Sequence, residues 1–389
     1  MEQLFITNLE INKVRHLKDI SIPLSENQIR HLVLTGKNGS GKTSVMEALA
    51  GYLGNLFADA CFASRESMLV NAQNSIKNTG LRIRFNKKLD SILALRQKYH
   101  YVLAYYRADR IFQAVQPRHV EKVQLKDDYG LTEFPRNEFV KYLLDLKMTE
   151  ALARNNNKIE KADGIKQWFD ELEKLLKKIF ADETVKLEFD EETFEFRILQ
   201  QGKEPFDFNT LSSGYQAVLD IIVDIMMRMQ NQTQRSFDFN LPGIVLIDEI
   251  ETHLHLELQK NIMPLLTTVF PNIQFIVTSH SPFILNSMEN MVIYDLENHL
   301  LVENGLDNIP YDGIVEGYFG ADKLSNVLEE KFERYKRLVK KEVLSDEDMN
   351  EIAELELYLD EIPDYLAIDI STEYQRIKLE FMNREDIDG

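Results

Sequence analysis

His31-Leu-Val-Leu-Thr-Gly-Lys-Asn-Gly-Ser-Gly-Lys-Thr-Ser-Val45 is the stretch on which the fold turns. His31–Thr35 reads as a short buried strand, and Thr43–Leu53 as a helical run. Between them, Gly36-Lys37-Asn38-Gly39-Ser40-Gly41-Lys42-Thr43 fits the pattern G-x-x-x-x-G-K-[ST]. The glycines let successive backbone N–H groups curl round phosphate oxygens, and the positive end of the following helix adds to their field. The expected nucleotide-binding residues are therefore Gly36, Asn38, Gly39, Ser40, Gly41, Lys42, Thr43 and Ser44. Lys42 would reach the β- and γ-phosphates, and the Thr43 hydroxyl would ligate Mg²⁺. A glycine-rich turn that merely ends a strand is the plain alternative. Strand and helix on the correct sides of the loop argue against it.

Further along, Gly243-Ile-Val-Leu-Ile-Asp-Glu249 is a buried-type strand ending in two carboxylates. Such a strand delivers Asp248 to the carboxyl edge of a sheet, where it can hold the water shell of Mg²⁺. Glu249 is then placed to orient or deprotonate an attacking water. Taken alone, the pair would be a solvated acidic strand end; a phosphate loop in the same chain changes that reading. Leu211-Ser-Ser-Gly-Tyr-Gln216 opens a helix whose core face is Val218, Ile222, Ile225 and Met229, so its plain reading is a serine N-cap. His280 ends the strand after the acidic one, in Phe275-Ile-Val-Thr-Ser-His-Ser-Pro-Phe283.

In this order the motifs resemble those of ABC-type ATPases. Leu211–Gln216 is similar to the ABC signature, with Ser213 where glycine is commoner, and His280 matches the switch histidine. The resemblance implies that Ser212 and Gly214 act in trans, on the γ-phosphate held by the phosphate loop of a second copy. It also implies that His280 contacts that phosphate from its own chain. DEIETHLHLELQ, FPNIQFIVTSHSPF and YDLE narrow the likeness to the RecF, SMC and OLD-like branch. Within it, the chain resembles the PtuA-like ATPases of Septu and retron-linked antiphage systems. Residues 1–60 and 205–298 carry this resemblance well, the rest poorly. It implies a P-loop NTPase with an ABC-like two-lobed α/β head that binds ATP with Mg²⁺, forms a head-to-tail dimer and hydrolyses ATP. Glu249 and His280 would be its catalytic residues, and Thr43 and Asp248 its metal-holding ones. The implied role is control of a separate effector nuclease in defence, because neither a TOPRIM-like acidic set nor a His-Asn-His cluster is present. A RecF- or SMC-like DNA-repair clamp is the alternative, and a transporter subunit fits the acidic strand less well. His253, His255 and Glu251 suggest a metal cluster at first sight, but they fall in the family's D-loop. No Q-loop glutamine stands out, Gln113 and Gln116 being the candidates.

The rest of the chain agrees with such a machine. With 44% hydrophobic and 28% charged residues among 389, it has the composition of a folded globular protein. One cysteine, Cys61, excludes a disulfide framework. The most apolar window, Val218–Met229, is broken by Asp220, Asp224 and Arg228, so no membrane span and a cytoplasmic location are expected. A net charge of −19 repels polyanions on average, so nucleic acid would need a local basic face. Arg107, Arg110, Arg118, His119 and Lys122 are the candidates for that face. Lys331, Arg334, Lys336, Arg337, Lys340 and Lys341 read instead as a helix face turned toward the acidic run Glu342–Asp364.

Four regions follow: lobe I at 1–117, an insertion at 118–205, lobe II at 206–309, and a helical extension at 310–389. In the insertion, apolar residues at three- and four-residue steps predict a helix over Gly164–Phe180, with Asp170–Lys174 and Glu173–Lys177 pairs on its wet face. Strict alternation in Thr184–Phe189 and Thr193–Leu199 predicts a hairpin.

Overall fold

Leu9, Ile11 and Val14 of β1 (Ile6–Val14) and Leu17, Ile20 and Ile22 of β2 (Leu17–Pro23) are buried, while the intervening polar residues face outward. This alternation makes an antiparallel pair, and β4 (Leu81–Phe85) joins the other edge of β1 to complete a three-stranded sheet. The structure, a computed structural model, describes residues 3–57, 64–98, 100–110, 119–307, 309, 314, 326–341, 344–360 and 368–382.

A second sheet is built from β3 (His31–Thr35), β5 (Val102–Tyr106), β8 (Gly243–Ile247), β9 (Ile273–Thr278), β10 (Met291–Asp295) and β11 (Leu300–Val302). Its order is β11-β10-β3-β9-β8-β5; β11 is antiparallel to β10, and the other pairings are parallel. Every residue of β3, β5, β8, β9 and β10 is buried. Continuous apolar runs such as GIVLI have this cause: helices cover both faces of a parallel sheet. Gln274, buried in β9, ties the two sheets together: its amide donates to Ile6 O (3.0 Å) and Arg30 O (2.8 Å) and accepts the Ile6 N–H (2.7 Å).

Helix α1 (Lys42–Phe57) follows the glycine loop as expected. Helices α2 (Arg65–Thr79) and α3 (Leu89–Gln97) lie where no helix was expected, because neither carries a strong apolar stripe. Local chemistry fixes the ends of α2. Ser64 and Ser67 form a reciprocal capping box, and Gly80 terminates the helix at φ +71°. A Cβ there would sit 1.9 Å from Lys13 O, so only glycine fits.

Between β5 and α6 (Ser213–Met229) the chain forms α4 (Phe139–Asn155), α5 (Ile159–Phe180) and a hairpin of β6 (Lys186–Asp190) with β7 (Glu195–Leu199). The hairpin stands where alternation placed it, and α5 begins earlier than expected. Of its two expected ion pairs, Lys177–Glu173 forms at 3.2 Å, while Lys174 turns to Glu171 at 2.8 Å instead of Asp170. Helix α6 (Ser213–Met229) precedes β8, α7 (Leu256–Val269) precedes β9, and the single turn α8 (Pro282–Leu285) follows it.

The chain divides into two compact units, residues 1–311 and 312–389. In the second, α9 (Asn326–Val339), α10 (Asp346–Asp360) and α11 (Ile368–Met382) pack Tyr335, Leu338, Ile352, Leu355 and Tyr374 into a core of their own. The basic face of α9 meets acidic partners as the sequence suggests. Arg334 forks onto Glu351 at 2.7 and 2.8 Å, and Lys341 reaches Asp348 at 2.6 Å.

A candidate nucleotide site at the carboxyl edge of the sheet

Parallel strands end on the same side, so β3, β8 and β9 deliver three loops to one edge. The loop after β3 is the glycine loop. Gly36, Gly39 and Gly41 have φ of +125°, +87° and +103°, a region that side chains disfavour. At Gly36 a Cβ would lie 2.9 Å from Ser40 Oγ and 3.2 Å from the Glu297 N–H nitrogen, so the curl closes only on glycine. Lys42, 6% exposed, folds its ammonium back onto the loop, donating to Gly36 O at 2.6 Å and Lys37 O at 3.1 Å. Burial pushes its pKa down, against the pull of Glu249, Glu251, Asp248 and Asp295. Ser40 Oγ is buried with no partner. Thr43 is exposed and Ser44 half-buried in the first turn of α1, while Asn38 and Gly39 stand exposed at the loop's tip.

After β8, Asp248 is 2% exposed and accepts a hydrogen bond from Thr278 Oγ1 at 2.6 Å. The same Thr278 oxygen accepts the Glu249 N–H at 2.7 Å, so one hydroxyl at the end of β9 orients both carboxylate residues. Glu249 has φ +47°, and its carboxylate accepts from Thr252 Oγ1 at 3.3 Å. After β9, the His280 N–H donates to Glu251 Oε1 at 2.6 Å. His280 Nε2 and Glu251 Oε2 are both buried without partners. Burial first and Lys42 second lower the pKa of His280, with Glu251 and Glu249 opposing, so the imidazole is neutral near pH 7.

These details test whether a triphosphate with Mg²⁺ fits. A cradle that a Cβ would fill, a cation turned onto backbone carbonyls, and orphaned polar atoms on Ser40 and His280 are what such a ligand would engage. The donors and acceptors present suit it.

Lys42, Asp248, Glu249 and His280 thus belong to one electrostatic cluster. Ser212 and Gly214 form a second element. Among the described residues, no hydrogen bond or ion pair joins them to the glycine loop. Ser212 occupies the N-cap of α6 with extended backbone, yet its side chain makes no capping bond, which the plain N-cap reading required. Ser212 and Ser213 are exposed and Gly214 is buried, where a Cβ would lie 3.1 Å from His253 O. Among the described residues, no group of three His, Cys, Asp or Glu side chains could hold a metal ion, so His253, His255 and Glu251 do not form one.

Sequence reasoning missed Thr278, set Glu251 aside with the D-loop, and misjudged Arg110. Rather than facing nucleic acid, Arg110 is 8% exposed and donates to the carbonyls of Asp248 (2.9 Å), Glu249 (3.3 Å) and Ile250 (3.1 Å). Arg107 lies 3.3 Å from Asp109, His119 3.4 Å from Glu121 and Lys122 3.6 Å from Asp145, so acids offset this group. Arg118, Gln113 and Gln116 lie outside the described residues. No helix among the described residues is long and apolar enough to cross a membrane.

A glycine loop between strand and helix, with an acidic and a histidine strand end at the same edge of a parallel sheet, is the arrangement of a P-loop NTPase fold. The chain belongs to the family described as "AAA domain, putative AbiEii toxin, Type IV TA system", whose model matches residues 32–286. It is 26% identical over 377 residues to the Septu protein PtuA of Bacillus mycoides (strain KBAB4), covering 91% of this chain and 50% of that one. It is 35% identical over 151 residues to the retron Ec83 probable ATPase of Escherichia coli, covering 36% of this chain and 27% of the relative. The chain therefore spans half or less of the length of these two relatives. Among solved structures, the SMC head domain from Thermotoga maritima aligns with TM-score 0.37 and 14% identity, over 75% of this chain and 94% of that one.

Proposed function

We propose that this protein is an ATP hydrolase that works as a head-to-tail pair and controls a partner effector nuclease in antiphage defence. In this reading the glycine loop from Gly36 to Ser44 holds the phosphates, with Thr43 and Asp248 holding Mg²⁺. When bound, that ion would offset phosphate charge. Glu249 takes the proton of the attacking water, and neutral His280 offers a hydrogen bond to the γ-phosphate. The observation that carries the pairing is the opening of α6: Ser212 and Ser213 are exposed and uncapped, leaving helix N–H groups free for an anion from outside the chain. The likeness to the Septu and retron relatives supports the defence role, and the effector is proposed as a separate protein. Among the described residues, Arg107, His119 and Lys122 each stand beside an acid, which gives no support to the DNA-repair alternative.

Complementation tests it. Gly214→Asp would set a carboxylate against the partner's γ-phosphate, and Lys42→Ala would remove the loop's cation. Each chain alone should lose nearly all ATP turnover, and a mixture should regain part, because one composite site is intact in the heterodimer. Full turnover by Gly214→Asp alone would mean a site complete within one chain.

A further inference from the structure

Glu249 carries a conformational problem that its neighbours solve. Its φ of +47° is a region that residues with a Cβ seldom occupy, and such backbone persists only where the surroundings fix it. From the nitrogen side, Thr278 Oγ1 accepts the Glu249 N–H at 2.7 Å, and Thr278 O accepts the Ile250 N–H at 3.1 Å. On the carbonyl side, the Thr252 N–H donates to Glu249 O at 3.0 Å, and one guanidinium spans this carbonyl and its two neighbours. Arg110 Nη1 donates to Asp248 O at 2.9 Å, and Nη2 to Glu249 O at 3.3 Å and Ile250 O at 3.1 Å. Nη1 also reaches back to Arg107 O at 3.2 Å, anchoring the clamp to the segment that leaves β5. Three successive carbonyls past a strand end have no ladder partner, and a planar fork of donors is the side chain that can serve them together. Burial works against the charge of Arg110, and Asp220 of α6 is the largest opposing influence.

We propose that Arg110 is a positioning residue for the hydrolytic step: it holds the strained Glu249 backbone so that the carboxylate meets the attacking water. The inference rests on the reading of Glu249 as the base. Arg110 acts through Glu249 and has no role in holding the nucleotide, since Lys42 and the glycine loop are anchored separately.

Single-turnover ATP hydrolysis and the affinity for a fluorescent ATP analogue should be measured for the wild type, Arg110→Ala, Arg110→Lys, Glu249→Gln and the double variant Arg110→Ala/Glu249→Gln. Arg110→Ala should lower the hydrolytic rate about 100-fold, the order expected for a misplaced catalytic group, with analogue affinity held within about twofold. Arg110→Lys, a point charge without the fork, should fall between. In the Glu249→Gln background, Arg110→Ala should cost nothing further, because the group it positions is already gone. Equal fold-losses in both backgrounds, or an unchanged rate in Arg110→Ala while Glu249→Gln is inactive, would overturn the inference and leave Glu249 in its role. Loss of analogue affinity or of folding in both Arg110→Ala and Arg110→Lys would overturn it too, assigning the arginine to stability alone. Wild-type turnover by Glu249→Gln would remove the base itself, and the positioning role with it.

Discussion

His31 opens β3 with a ring that is 4% exposed; its Nδ1 accepts the Phe275 N–H at 3.1 Å, and its face tilts against the Phe275 ring. Burial pushes its pKa down to about 4 from an ordinary 6.5. Between those values the unfolded chain binds more protons than the folded one, so stability rises with pH there and is lost on acidification. The full effect is about 3 kcal/mol. In denaturant titrations from pH 4 to 6.5, His31→Gln should flatten the acid limb of stability. An unaltered slope would place that limb on another group. At this scale the sequence was most informative about residues whose chemistry is local: Lys42, Thr43 and the glycines act through their neighbours in the chain. The partners of Thr278, Glu251 and Arg110 were not legible, since each acts on atoms brought near only by folding. Arg110 is the clearest case: its charge suggested phosphate, whereas its partners are carbonyls 138 to 140 residues away.

Helix α6 shows the same at the scale of an element. Its charged residues Asp220, Asp224 and Arg228 recur every fourth position and are all buried. Arg228 pairs with Asp224 at 2.7 Å and donates to Leu103 O at 2.9 Å, and Tyr106 donates to Asp224 at 2.8 Å. Arg136, in the turn before α4, pairs with Asp220. The charges that broke the apolar window are thus an interior network joining α6 to β5 and to the turn before α4. Asp224→Ala would leave Arg228 without its carboxylate in the interior and should cost about 3–5 kcal/mol. Leu152→Ala, on the 62% exposed side chain near the end of α4, should fall within about 0.5 kcal/mol of the wild type. Equilibrium unfolding of the two variants would check the contrast; equal small effects would mean that water reaches the network. Helix α5 and the hairpin were readable from period alone. Helix α2 was not, because its ends are set by a capping box and a glycine rather than by a stripe.

Across the whole molecule, two units carry separate cores. In the second, Tyr335 is fully buried, donates to Glu356 at 2.8 Å and meets the Tyr374 ring edge-on at 5.3 Å. Tyr335→Ala should remove about 3–5 kcal/mol from this three-helix core. Hydrogen exchange should then show lost protection in α9, α10 and α11 and retained protection in α1. Loss in both would reveal one cooperative unit.

The sequence by itself determined the glycine loop, the acidic and histidine strand ends, and the parallel-sheet class, because each is a short pattern whose meaning lies in adjacent residues. Only the tertiary structure decided the strand order, in which β3 lies between β9 and β10 and one Thr278 hydroxyl serves both Asp248 and Glu249. It also decided that Arg110 faces the carbonyls after β8 rather than solvent. The reason is physical: a charge or hydroxyl carries its donors with it, but which acceptors it meets depends on distant backbone that packing brings alongside.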